Sequence, residues 1–156
     1  MGINEALGAA GAGVKMTLTD GQELTLMPMT QKTKAEYEAW CQAKAWSTVK
    51  ASKAHLDKPD YDALLTRTSA AIASGAYSFG GTLFFEMLNQ LPGAVKMFHL
   101  LLLPKQPGLK EEDVTGLLFK VNQEELGSAM RQLVPELAGV QGDLQVTDLL
   151  EGREGN

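Results

Sequence analysis

The side chains of this sequence that could do chemistry are few, and they do not fall into working patterns. A nucleophilic serine on a strained elbow needs G-x-S-x-G after a strand. The nearest approach, Gly75-Ala76-Tyr77-Ser78-Phe79-Gly80, has one residue too many before the serine and a helical pattern in front of it. Ser78 therefore reads as part of a linker. Gly8, Gly11 and Gly13 precede Lys15 in the manner of a phosphate loop, but such a loop needs Gly-Lys-Ser/Thr contiguous, and Val14 intervenes. His55 and His99 are far apart, and neither belongs to an H-E-x-x-H or C-x-x-C pattern that would put metal ligands on one face. His99, in an apolar stretch, reads as a core imidazole with one hydrogen-bond partner, and His55 as a helix-end cation. Asp60, Asp62 and Glu86 could be brought together by folding, yet no motif points to it. The sequence thus predicts no catalytic residue, no cofactor and no metal, and a protein that is not an enzyme.

What the chain does concentrate is apolar surface. Thr82 to Leu103 reads TLFFEMLNQLPGAVKMFHLLLL and holds three of the five Phe and two of the seven Met. Leu100 to Leu103 cover every side of a helix, so that helix must be enclosed by other elements or by another chain. The shorter run before it follows a glycine-rich joint and is too short to be stable unsupported. Phe84, Phe85, Met87 and Leu88 are therefore the expected protein-interface residues, docking as an apolar helix on a partner.

Composition and charge narrow the partners. The 156 residues are 44% hydrophobic and 21% charged with a net charge of −5, as suits one ordinary globular domain. Residues 1–60 carry seven basic and seven acidic side chains, and residues 61–156 carry seven against twelve. Lys34, Lys44, Lys50 and Lys53 point in different directions around one helix, so no phosphate-binding stripe forms and nucleic acid is not an expected partner. The greasiest stretch, Ala94 to Leu103, contains Lys96 and His99 and is too short to span a bilayer that needs ~20 residues. A soluble protein is expected. The lone Cys41 has no internal partner and reads as a small buried side chain in a reducing cytoplasm.

The elements follow from period and punctuation. Residues 1–13, rich in glycine and alanine, read as a flexible arm. Val14, Met16 and Leu18 alternate with polar residues, as do Leu24 and Leu26, with Asp20-Gly21 between them. A two-residue loop would oppose Met16 to Thr25 and mix the faces. A three-residue Thr19-Asp20-Gly21 loop opposes Met16 to Leu24 and Val14 to Leu26, with Gly21 in the left-handed position.

Thr33 with Glu36 gives a capping-box signal for a helix over 34–54, whose buried face is Tyr37, Cys41, Ala45, Thr48 and Val49, with Trp40 beside it and Trp46 off the stripe. Lys58-Pro59 opens a second helix with a buried stripe of Tyr61, Leu64, Leu65, Thr68 and Ile72. Residues 75–81 read as a flexible joint before a short helix capped by Thr82. Leu91-Pro92-Gly93 should break or kink the chain before a helix over 94–103. Glu111-Glu112-Asp113 and then Asn122 with Glu125 open two more helices, and Asp143 caps a last one through Leu150. The fold class is α+β, mostly α: an N-terminal β-hairpin followed by a compact bundle of five to seven helices. One domain spans 14–150, and 151–156 is a flexible tail.

This order of parts resembles the tail assembly chaperones of long-tailed bacteriophages. The hairpin Met16-Thr17-Leu18-Thr19-Asp20-Gly21-Gln22-Glu23-Leu24-Thr25-Leu26, then Pro28-Met29-Thr30, then the acidic aromatic run Glu36-Tyr37-Glu38-Ala39-Trp40 carry the likeness in the first half. Leu100 to Leu103, a proline-bearing loop, Glu111-Glu112-Asp113-Val114 and Asn122-Gln123-Glu124-Glu125-Leu126 carry it in the second. The loop itself, Pro104-Lys105-Gln106-Pro107-Gly108-Leu109-Lys110, differs from the family's His-Pro-Asp-type turn. The resemblance covers residues 15–135. It implies a helical protein that shields the tape-measure protein and helps recruit tail-tube subunits in the cytoplasm of the bacterial host, without an enzymatic step. The alternative is a permanent virion component (a neck, tail or capsid-associated protein) held by neighbouring subunits. A homo-oligomer is compatible with either.

Overall fold

Alternation of apolar and polar residues makes the first element a hairpin, and a computed structural model, which describes residues 13–137, shows the register that the apolar pattern demands. Strands β1 (Val14–Thr17) and β2 (Glu23–Leu26) pair antiparallel with Val14 opposite Leu26 and Met16 opposite Leu24. Gly21 closes the loop at φ +87°, a conformation that costs a residue with a Cβ. Met16, Leu18, Leu24 and Leu26 all face inward and are buried.

Helices supply the rest. Helix α1 (Gln31–Ser52) starts a turn earlier than Thr33 and Glu36 suggest. Its cap is Thr30, whose hydroxyl accepts from the Thr33 N–H at 3.1 Å. Its buried face is Tyr37, Cys41, Ala45 and Val49, while Thr48 is exposed and satisfies its hydroxyl on the Lys44 carbonyl. Helix α2 (Lys58–Ala73) begins at an Asp57 cap with Pro59 in its first turn, and lies against α1. Its expected stripe is not enclosed. Only Thr68 is buried, and Tyr61, Leu64, Leu65 and Ile72 remain half-open.

Residues 75–81 are not a loose joint. Ser78 and Gly81 donate to the Gly75 and Ser78 carbonyls, and the Ala76 carbonyl accepts from Leu83 and Phe84, which locks the chain into helix α3 (Thr82–Leu88). The N-cap is Gly81 instead of Thr82. Helix α4 (Leu91–Leu102) contains Pro92 and Gly93 in its first turn, so the expected break falls about two residues earlier, at Asn89-Gln90. A proline is tolerated there because its missing N–H would have no helical acceptor. Gly93 is required by contact, since a Cβ would fall onto the Met87 carbonyl.

Helix α4 is the centre of the molecule, packed on β2, α1, α3 and helix α5 (Glu111–Leu118). Leu100, Leu101 and Leu102 are buried and Leu103 packs half-buried against the same core, as four leucines on every side of a helix require. Helix α6 (Gln123–Leu133) begins at Asn122, whose side chain accepts from the Glu125 N–H at 3.1 Å. It packs on β1, and a 3-10 turn, Pro135–Leu137, follows it. Among the described residues the fold is α+β, mostly α, with a two-stranded hairpin and six α-helices. No described helix is long and apolar enough to cross a membrane. All of the expected arm over 1–13 except Gly13, the helix after Asp143 and the tail over 151–156 lie outside the described residues.

Candidate functional site

The residues expected to form the interface divide between the two faces of α3. Phe84 and Leu88, one turn apart, point into the core and are 0% and 1% exposed, so neither offers area to a partner. Their burial has a local cause. Phe84 stacks among aromatic rings from α1 and the preceding turn, with ring centroids 4.4 Å from Phe79, 5.5 Å from Tyr37 and 5.1 Å from Phe85. Tyr37 also donates its hydroxyl to the Gly93 carbonyl at 3.1 Å, tying α1 to the first turn of α4. Phe85 and Met87 stay half-buried, and of the four only Met87 lines a cleft between the helices.

That cleft, of about 480 Å³, lies where α1, α2, α3 and the start of α4 meet. Trp40, Leu64, Leu83 and Met87 give it apolar walls, and Tyr77 lines it as well. Lys44 on α1 and Glu86 on α3 supply one charge of each sign. The Lys44 ammonium sits 5.7 Å from the Trp40 ring centroid. Burial, and then the Glu86 carboxylate, hold the Tyr77 phenol above its ordinary pKa, so it remains a hydrogen-bond donor at neutral pH. Leu83, Glu86 and Met87 follow helical spacing on a different face of α3 from Phe84 and Leu88, and Gln90, the extended residue before α4, lines the cleft beyond them.

Sequence reasoning found Met87 but missed Trp40, Lys44, Leu64 and Leu83 as cleft residues. The signal for Leu64 was present, since the α2 stripe contains no aromatic larger than Tyr61 and is flanked by Asp60, Asp62 and Arg67. A helix so composed has little to offer a core on more than one side.

The groups weighed for catalysis are dispersed. Ser78 is exposed in the turn before α3. Asp60 and Asp62 sit in the first turns of α2, Asp62 pairs with Lys58 at 2.9 Å, and neither lines the cleft with Glu86. Burial pushes the Cys41 thiol up to about 12, which leaves no thiolate at neutral pH. His99 donates through Nε2 to the Leu109 carbonyl at 2.7 Å, the direction a carbonyl requires, and so fastens α4 to the loop before α5. His55 is exposed just past the end of α1. Among the described residues no group of three or more His, Cys, Asp or Glu is placed to hold a metal ion. What the cleft offers is apolar contact with a few polar handles. Comparison with known protein families, with curated proteins and with solved structures finds no match to this chain.

Proposed function

We propose that this chain is a non-enzymatic protein-binding protein that receives an amphipathic helical segment of its partner in the cleft between α1, α2 and α3. The observation that carries this reading is the α2 stripe: Tyr61, Leu64, Leu65 and Ile72 are apolar, half-open and outside the main core, and Leu64 borders the cleft. Apolar side chains left half-covered at helical spacing form the kind of groove in which a partner helix lays its own apolar face. Lys44 on α1 and Glu86 on α3 would set that helix's register through charges of opposite sign, and Met87 would adapt its shape to more than one sequence.

The client chemistry follows the resemblance to phage tail assembly chaperones. The resemblance implies a long, aggregation-prone tape-measure protein as the client, whose apolar surface the chaperone would cover until tail-tube subunits replace it. Half-buried contacts suit that task because they can be exchanged. In this reading the protein works in the host cytoplasm and is absent from finished virions.

The test is co-expression with the tape-measure and tail-tube proteins of the same phage, using Leu64→Glu and Leu83→Glu. Each should lower affinity by about thirtyfold or more, the loss of a ~2 kcal/mol anchor, while the isolated variants melt close to the wild-type temperature. Normal co-purification by both variants would overturn the reading. Stoichiometric recovery of the protein from purified virions would replace the chaperone with a permanent virion subunit.

A further inference from the structure

The hairpin register fixes which main-chain atoms of β1 are free. Leu18 donates to the Gln22 carbonyl at 2.8 Å, and the next pairs are Thr17 with Glu23, Met16 with Leu24, Lys15 with Thr25 and Val14 with Leu26. Bonded and non-bonded pairs alternate in an antiparallel ladder. Val14, Met16 and Leu18 therefore direct their N–H and C=O groups at β2, while Lys15 and Thr17 direct theirs outward. Both residues are exposed, and among the described residues no backbone group outside the hairpin pairs with them. Just past each strand the outward main chain is tied to another part of the fold: the Thr19 N–H to the Lys120 carbonyl at 2.9 Å, and the Met27 N–H to the Leu101 carbonyl of α4 at 2.8 Å, so the open stretch of the β1 edge is Lys15 and Thr17.

Beside the free edge runs a cleft of about 350 Å³ whose far wall is one stripe of α6: Glu125, Ser128, Ala129 and Gln132. Their spacing places them on a single face. The middle of the stripe is small, and its polar side chains make no hydrogen bond to the edge.

We propose that β1 is a docking edge that accepts an extended segment of another protein chain as a third strand. Lys15 and Thr17 present their free groups ~6.8 Å apart, the repeat at which an added antiparallel strand presents its own bonded residues. Two such residues exchange both bonds each, giving four main-chain hydrogen bonds that are blind to sequence. Selection comes from the side chains. Those turned toward α6 meet Ser128 and Ala129 and must be small or β-branched, and the Glu125 carboxylate favours a lysine or arginine at one end. This edge is separate from the α2 cleft and takes a strand, not a helix.

The probe is the acetylated and amidated hexapeptide Lys-Val-Thr-Val-Thr-Val, and the readout is amide hydrogen exchange by NMR on the full chain. In the free protein the Lys15 and Thr17 amides should exchange fast and the Met16 amide slowly. Peptide at roughly nine times its Kd should slow Lys15 and Thr17 about tenfold and leave Met16 unchanged. Lys15→Pro removes an outward N–H without touching the Met16–Leu24 pair, and should abolish the slowing at Thr17. Ser128→Trp fills the cleft from an exposed position on α6 and should abolish it without altering the hairpin. The proposal is overturned if either edge amide is already protected before peptide is added, if millimolar peptide slows neither, or if Ser128→Trp binds as the wild type does.

Discussion

Helices α4 and α2 both carry apolar side chains at helical spacing, and they end in opposite environments. Nine of the twelve residues of α4 are buried, against one of the sixteen of α2. The difference lies in neighbours. Helix α4 is met by β2, α1, α3 and α5, whereas α2 lies chiefly on α1. A stripe of leucines is enclosed only when at least two elements close over it, and otherwise becomes a half-open face available to something else. Stability should accordingly be uneven, high around α4 and low at α2.

The largest effect that could break this contrast is a cavity mutation on each side. Phe98→Ala, at 1% exposure, should cost about 3–5 kcal/mol in denaturant unfolding, whereas Leu65→Ala on α2 should cost less than about 1 kcal/mol. Equal losses would mean that α2 is as much a part of the core as α4. Next comes the joint between α3 and α4. Gly93→Ala pushes a methyl into the Met87 carbonyl and should destabilise by about 1–3 kcal/mol. Removing the hydroxyl that reaches the same turn, Tyr37→Phe, should cost about 1 kcal/mol. A neutral Gly93→Ala in thermal melting would contradict the close approach of the two helices.

Helix caps sharpen the comparison at a smaller scale. Thr30→Ala should cost about 1 kcal/mol, and Thr33→Ala much less, because only Thr30 accepts from the first-turn N–H of α1. The reverse order would restore the later helix start. The smallest effect concerns the Lys34–Glu136 pair, 2.6 Å apart, which joins α1 to the turn after α6. The Lys34 hydrogen bond holds the Glu136 carboxyl below its ordinary value of 4.5. A lowered folded pKa gives stability that is present above 4.5 and disappears as pH falls through the folded value. On a partly exposed pair this amounts to about 0.2–1 kcal/mol, and Lys34→Met should remove that pH dependence from acid unfolding curves.

Much of the fold was legible because local chemistry decided it. The hairpin register follows from Val14, Met16, Leu24 and Leu26 having to share a face, and Asn122 has the one side chain near α6 that can cap it. The departures arose where distant contacts decide. Glu36 three residues on favours Thr33 as the cap by spacing, yet the helix begins at Thr30, whose hydroxyl accepts from the Thr33 N–H. Gly93 looks like a breaker, but its role is to let the Met87 carbonyl approach, a contact invisible in composition. Residues 75–81 look flexible by their glycines, and their hydrogen bonds to one another hold them in place.

The candidate site was legible only in part for the same reason. In a seven-residue helix with apolar side chains on several faces, pattern alone does not say whether Phe84 and Leu88 or Leu83 and Met87 turn inward. The aromatic rings of Tyr37 and Phe79 settle it, and α2 then provides the open wall that the α3 segment was expected to provide by itself.

Amide hydrogen exchange across the isolated protein tests the central contrast most directly. The amides of Val95 to Leu102 in α4 should exchange only through global unfolding, while those of the middle of α2, Leu64 to Ala71, should exchange at least about tenfold faster through local opening. Matching protection in the two helices would contradict the account, because α2 would then be held as firmly as the core and could not serve as the adaptable wall of a binding groove.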